Sequence, residues 1–164
     1  MSARAVARRV PSRELGVARI TARKEDGTVR QHFDPPTLYR SPIHSQAVRA
    51  GDLIFVAGQC AHVPTDSTPT RDHRIIGVGD PLVQARQCYQ NVQYTLEAAG
   101  ATIRDVVKLT TYSTHPDYHK ILILDDVRPE FFAPPHPAST GVVVSALFKP
   151  EALFEVEAIA VVDA

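Results

Sequence analysis

The sequence has no tryptophan, a single methionine and only two cysteines, Cys60 and Cys88. Two thiols so far apart in 164 residues do not make the disulfide framework of a small secreted protein, so a reducing, cytoplasmic setting is expected. Neither sign of charge is in excess. Eighteen Lys and Arg stand against eighteen Asp and Glu, which removes the global field that would draw in nucleic acid or an anionic membrane. Long apolar runs are missing too, and without about eighteen consecutive apolar residues no membrane-spanning helix is expected. There is no phosphate-binding glycine loop, no dinucleotide fingerprint and no nucleophile elbow. Base-stacking aromatics interleaved with basic residues are also absent, which argues against sequence-specific nucleic-acid recognition. Partners are therefore sought locally.

What is present is enough apolar sequence, 44% of residues against 22% charged, for one domain that buries its own core. Residues 1–16 carry Arg4, Arg8, Arg9 and Arg13 with no acid before Glu14. They faintly resemble an organelle-targeting peptide, lack the apolar stretch of a secretory signal, and read as a disordered basic tail. Residues 17–40 read as a hairpin about Asp26-Gly27, followed by an extended proline-rich connector that runs on to Pro42. The main domain is placed at 41–164.

Within it, residues 52–58 read as a strand between glycines, and 61–79 as a polar loop long enough to fold over a site. Asp80-Pro81 and Gly100 frame a helix over 81–99, with Ala85, Cys88, Val92, Leu96 and Ala99 as its apolar stripe. A β-branched strand follows at 105–113. A second helix is expected over 116–132, bent or shortened near its end by Pro129, and two last strands over 140–147 and 153–162. Two helices cover one face of such a sheet, yet Leu53, Phe55 and Ala57 alternate with Ile54 and Val56, so neither face reads as solvated. The pattern therefore calls for another copy of the chain over the second face.

Glu155 and Glu157 lie two apart on the last strand and so share a face with Leu153, Ile159 and Val161. They are either a solvated pair or a partly buried site whose desolvated carboxylate handles a water. His115 and His119 have a spacing that suits a metal, but no third ligand is evident and Asp117 is read as pointing elsewhere, so surface capping is expected and no metal. His44, His62 and His136 sit in loops, as ligand contacts or ordinary surface. Cys60 ends a strand where a thiol can face a pocket, without an identifiable base to make it a nucleophile, and Cys88 belongs to the core. Ser139 and Thr140 open a strand after a proline-rich turn and either satisfy backbone groups or bind a ligand.

Ser41-Pro-Ile-His-Ser-Gln-Ala-Val48, Ala57-Gly-Gln59, Gln84-Ala-Arg-Gln87 with Asn91, Ala98-Ala-Gly100, Asp105-Val-Val-Lys108, Pro137-Ala138 and Glu155-Val-Glu-Ala-Ile-Ala160 together resemble the Rid family, also called YjgF-type. The resemblance covers residues 41–162. It implies a chorismate-mutase-like α+β fold, a two-layer sandwich with a mixed sheet and two helices on one face, assembled as a homotrimer with ligand clefts between subunits. It also implies hydrolysis of enamines or imines to keto acid and ammonia by water, without metal or organic cofactor.

Residue by residue, the family's water-orienting carboxylate falls on Glu155, a pocket tyrosine at or near His44, and a pocket serine on Ala57. The arginine that clamps the substrate carboxylate stands third in a Pro-Ala-Arg-Ser motif, where this chain has Ser139. Either another cation such as Arg74 enters the cleft, or the substrate lacks the carboxylate, or the chain is a non-deaminating member. The leading reading is a small-molecule enzyme acting on a C=N or enamine compound, with Glu155 on water and His44, Cys60, Ser139 and Thr140 on substrate. Its rival is a non-catalytic metabolite-binding or chaperone-like trimer. The endoribonuclease label of some relatives is disfavoured by the neutral charge.

Overall fold

The long helix starts where the chain supplies its own cap. Asp80 Oδ1 accepts from the backbone N–H of Leu82 at 3.0 Å and of Val83 at 3.1 Å, and Pro81 sits in the first turn, where its missing N–H is not needed. This helix, α1, spans Pro81–Ala98, and beyond Ala99 the chain turns out through Gly100 at φ 83°. The stripe Ala85, Cys88, Val92, Leu96 and Ala99 is buried throughout, joined by Gln84, Tyr89, Asn91 and Thr95.

The computed structural model describes residues 18–23, 29–62, 74–120 and 127–162. Its strands are β1 (Ala18–Arg23), β2 (Val29–Asp34), β3 (Ala47–Ala50), β4 (Leu53–Cys60), β5 (Val106–Ser113), β6 (Ala138–Val143) and β7 (Phe154–Val161). They form one mixed sheet in the order β1-β2-β3-β4-β7-β5-β6, with β5 and β6 parallel and every other neighbouring pair antiparallel. The architecture is α+β, with α1 laid across β4 and β7. Period-two alternation on β7 sends Phe154, Val156, Ala158 and Ala160 under the helix and Glu155, Glu157 and Ile159 to the other face.

That other face is open in the isolated chain and apolar: Phe55 is 44% exposed and Val142 36%, with Leu53, Val107 and Val161 also exposed. The hairpin read over 17–33 is present as β1 and β2, although its Asp26-Gly27 turn lies outside the described residues.

Three expectations are corrected. The connector is not simply extended: Leu38 N–H donates to Pro35 O at 3.1 Å, a turn prepared by the fixed φ of the prolines, and Leu38 is buried. The second helix is described as two short segments, α2 (Pro116–Lys120) and α3 (Arg128–Phe131), with residues 121–126 outside the description. Pro129 stands in the first turn of α3, so it begins a helical segment instead of bending the end of one. Strand β3 was not anticipated. Its four residues pair back onto β4 through the tight Gly51-Asp52 turn, with Gly51 at φ 63°.

A polar side chain on the buried face of α1 sets how β7 begins. Gln84 is fully buried; its Nε2 donates to Gly77 O at 3.1 Å and Glu151 O at 2.8 Å, and its Oε1 accepts from Leu153 N at 2.8 Å. Replacing it by leucine strands three backbone groups. Gln84→Leu is expected to lower unfolding stability by about 2–4 kcal/mol, measured by urea denaturation monitored by circular dichroism.

Candidate functional site

The cleft forms at the end of β4 where its pairing with β7 slips. Val56 faces Ala158 and Gln59 faces Val156, so Ala57 and Gly58 together span one residue of β7 in a bulge. Below it, Cys60 is again in register with Glu155. A Cβ at Gly58 would collide with Glu155 Oε1 and lie 2.9 Å from its Cδ, so the carboxylate occupies the space that glycine leaves. The resulting cleft measures about 590 Å³. Glu155, Ala57, Gly58, His44 and Phe148 line it, with Leu38 and Tyr39 from the connector.

Glu155 stands between Cys60 of β4 and Tyr112 of β5, its cross-strand neighbours. Burial raises its pKa above the usual carboxylate value; a hydrogen bond with Cys60 opposes this, and the nearby negative charge of Glu157 adds to it. Burial, then the charge and hydrogen bond of Glu155, push the Cys60 thiol well above its ordinary pKa, so it stays protonated. Of the carboxylate pair, only Glu155 lines the cleft; Glu157 accepts from Tyr112 Oη at 3.2 Å.

An amide chain fixes the walls. Gln59 Nε2 donates to Gln46 Oε1 at 2.8 Å and to Ala57 O at 3.0 Å, Gln46 Nε2 donates to Tyr39 O at 2.7 Å, and Asn91 Nδ2 donates to Cys60 O at 2.9 Å. His44 Nδ1 shares a hydrogen bond of 2.8 Å with Ser41 Oγ, which leaves Nε2 as the ring's other polar atom.

The other expected site residues lie elsewhere. Cys60, assigned to the substrate wall, is buried behind Glu155 and is not among the lining residues. Ser139 and Thr140 are on β6, at the far edge of the sheet. Ser139 Oγ accepts from Arg128 Nη1 at 3.0 Å, and Thr140 Oγ1 bonds the Lys108 ammonium. Tyr112 is the cross-strand neighbour of both Glu155 and Val142, and Ser139 lies three residues from Val142 along β6. Two strand spacings and three residues of rise place the Cα atoms of Glu155 and Ser139 about 14 Å apart. One chain therefore does not bring them together.

His115 caps locally, its Nδ1 accepting from Asp117 N at 3.2 Å, but the Asp117 carboxylate, read as pointing elsewhere, turns back to 3.5 Å from the same ring. The side chain of His119 is outside the described residues, among which no group of three potential metal ligands occurs. Gln46, Gln59 and Asn91 enter the sequence reading only through the resemblance, not as site residues. A signal for Asn91 existed: it stands seven residues after Gln84 on the buried face of α1, where a polar side chain needs a partner.

Comparison with known proteins adds context. The family model described as Endoribonuclease L-PSP matches residues 39–162. A RutC family protein of Pyrococcus horikoshii is 38% identical over 117 residues, 71% of this chain and 85% of that protein. A 2-iminobutanoate/2-iminopropanoate deaminase of Dermatophagoides farinae is 32% identical over 121 residues, 73% of this chain and 86% of that protein. The structure of E. coli TdcF with bound serine superposes with a TM-score of 0.65 at 27% identity, covering 78% of this chain and 94% of that one.

The environment of Glu155 has a consequence for pH. Its pKa in the folded chain lies above the ordinary value of 4.5, so the folded state binds the proton more tightly and stability falls as pH rises through that window. Glu155→Gln removes the effect. The variant is expected to melt higher than wild type at neutral pH and to lose that advantage below about pH 4.5. Gly58→Ala, which displaces the carboxylate, is expected to return the Glu155 midpoint, followed by side-chain carbon NMR, toward the ordinary value.

Proposed function

The chain belongs to the Rid (YjgF-type) family of L-PSP-like proteins, and on that premise we propose that it hydrolyses an imine or enamine to a carbonyl compound and ammonia in clefts shared between the subunits of a homotrimer. The observation that carries this reading is the desolvated carboxylate of Glu155 at the wall of a preformed cleft, fitted against Gly58. The family includes imine and enamine deaminases, among them the mite enzyme.

In this reading Glu155 accepts a proton from a water as the water oxygen adds to the C=N carbon. The nitrogen takes up a proton from solvent, giving a carbinolamine. Glu155 then returns its proton to that nitrogen, the C–N bond breaks, ammonia leaves and the hydroxyl gives its proton to solvent, which balances the one taken up. A pKa raised toward the working pH suits a group that both takes and gives a proton. Cys60, held as a thiol, hydrogen-bonds the carboxylate and fixes its direction. No metal or organic cofactor is needed, because the C=N carbon is already electrophilic and water is the nucleophile.

The assembly is part of the proposal. The open face of the sheet, with Phe55, Leu53, Val142 and Val161, is a surface that a monomer would leave in water, and a second copy is the partner it fits. The ligand is a small molecule and the setting cytoplasmic; the balanced charge offers a nucleic acid or a membrane no favourable field.

Ammonia release from freshly generated imines of several amino acids is the direct assay. Wild type is expected to accelerate it, and Glu155→Ala to slow it by about a hundredfold or more. If wild type consumes no imine or enamine while Ser139→Arg does, the native protein is a ligand-binding trimer and not a deaminase. Sedimentation is expected to give a trimeric mass for wild type and a smaller one for Phe55→Glu; a monomeric wild type at micromolar concentration would sink the shared-cleft reading.

A further inference from the structure

Arg128 opens α3 and is only partly exposed. Its Nη1 donates to Ser139 Oγ at 3.0 Å, and its guanidinium carbon lies 5.9 Å from the centre of the Phe132 ring. The nearest acid that follows it, Glu130, is held by Arg86, with Nη2 to Oε1 at 2.6 Å and Nε to Oε2 at 2.8 Å, while Asp125 and Asp126 lie outside the described residues. Among the described residues no carboxylate lies within ion-pairing distance of Arg128. A guanidinium has five N–H donors, and among the described residues this one spends a single donor on a hydroxyl. A cation held in place beside an aromatic ring, with most of its fork unspent among the described residues, suits a planar anion received in two parallel hydrogen bonds.

Ser139 matters to this because of where it points. It pairs with the buried Leu109, on the helix side of the sheet, whereas Thr140 pairs with Thr110 on the open side and takes Lys108. Of these two hydroxyls it is that of Ser139 which bonds Arg128.

We infer that Arg128, oriented by Ser139, binds the carboxylate of the ligand, so that each cleft is completed by the β6 edge of a neighbouring subunit. This rests on the shared-cleft reading above and narrows its substrates to imino acids. With the Cα of Ser139, which holds Arg128, about 14 Å from that of Glu155 in the same chain, a small imino acid is shared between the two groups when they come from two subunits. The cation that serves the ligand is then Arg128 from α3, not Arg74 from the long loop. Arg128 is a substrate-binding residue and Ser139 a positioning residue.

The test uses 2-oxobutanoate, a stable keto-acid analogue, and its primary amide, with binding to the full-length protein followed by calorimetry. Wild type is expected to bind the acid at least tenfold more tightly than the amide. Arg128→Gln is expected to lose that preference, and Arg128→Gln with Ser139→Arg to recover it to within about threefold, a rescue that a merely structural role would not give. Equal affinity of wild type for acid and amide, or binding of neither, overturns the inference without needing any variant. So does an Arg128→Gln protein that keeps the preference, or a folded double variant that fails to recover it. No acceleration of ammonia release by wild type, with the carboxylate preference intact, would remove the deaminase reading and leave this inference standing; accelerated release without the preference removes this inference alone.

Discussion

The carboxylate of Glu155 depends on an empty space. At Ala57-Gly58 strand β4 carries one residue more than β7 opposite it, and a bulged strand bends and re-aims its side chains. Because Gly58 has no Cβ, the bend leaves room for the carboxylate to lie against the backbone with part of its surface out of water. Its proton affinity, its contact with the Cys60 thiol and its place on the cleft wall follow from that geometry. Two residues farther along β7, Glu157 has the same face and chemistry but lies outside that cleft, and it bonds Tyr112 instead.

Helix α1 holds this arrangement with polar residues on its buried side. Gln84 pins the loop that leads into β7, and Asn91 holds the carbonyl of Cys60, where β4 ends. Both are almost fully buried, and each repays its desolvation by bonding backbone groups that would otherwise be unpaired. The apolar stripe fixes which face of α1 meets the sheet, while the amides fix where along the sheet it sits. The Gln46–Gln59 pair extends the same logic to β3 and the connector.

The polar groups of the proposed chemistry are divided between two ends of the sheet. The carboxylate and His44 belong to the β4 side, and the Arg128–Ser139 pair to the β6 edge. Such a division gives a small ligand full contact only if edges of different subunits meet, which is also what the exposed apolar face favours. Assembly and ligand binding are then one requirement on the sequence.

Local spacing alone determined much of this protein. Asp80-Pro81 and Gly100 mark both ends of α1 because capping chemistry acts within one turn, and the two-residue period puts Glu155 and Glu157 on one face wherever the strand goes. Strand β3 was harder to read because four residues carry too little periodicity, and the second helix because Pro129 is read differently at the start and at the end of a helix. The tertiary structure decided the rest. Which glutamate lines the cleft depends on the slip between β4 and β7, strands separated by most of the chain, and Cys60 was moved behind the wall by the same register. The contact between Arg128 and Ser139 spans eleven residues and a proline-rich turn, so no local pattern encodes it. Side-chain period is a property of one segment, whereas register and approach are properties of two, and only the folded chain brings the second segment into place.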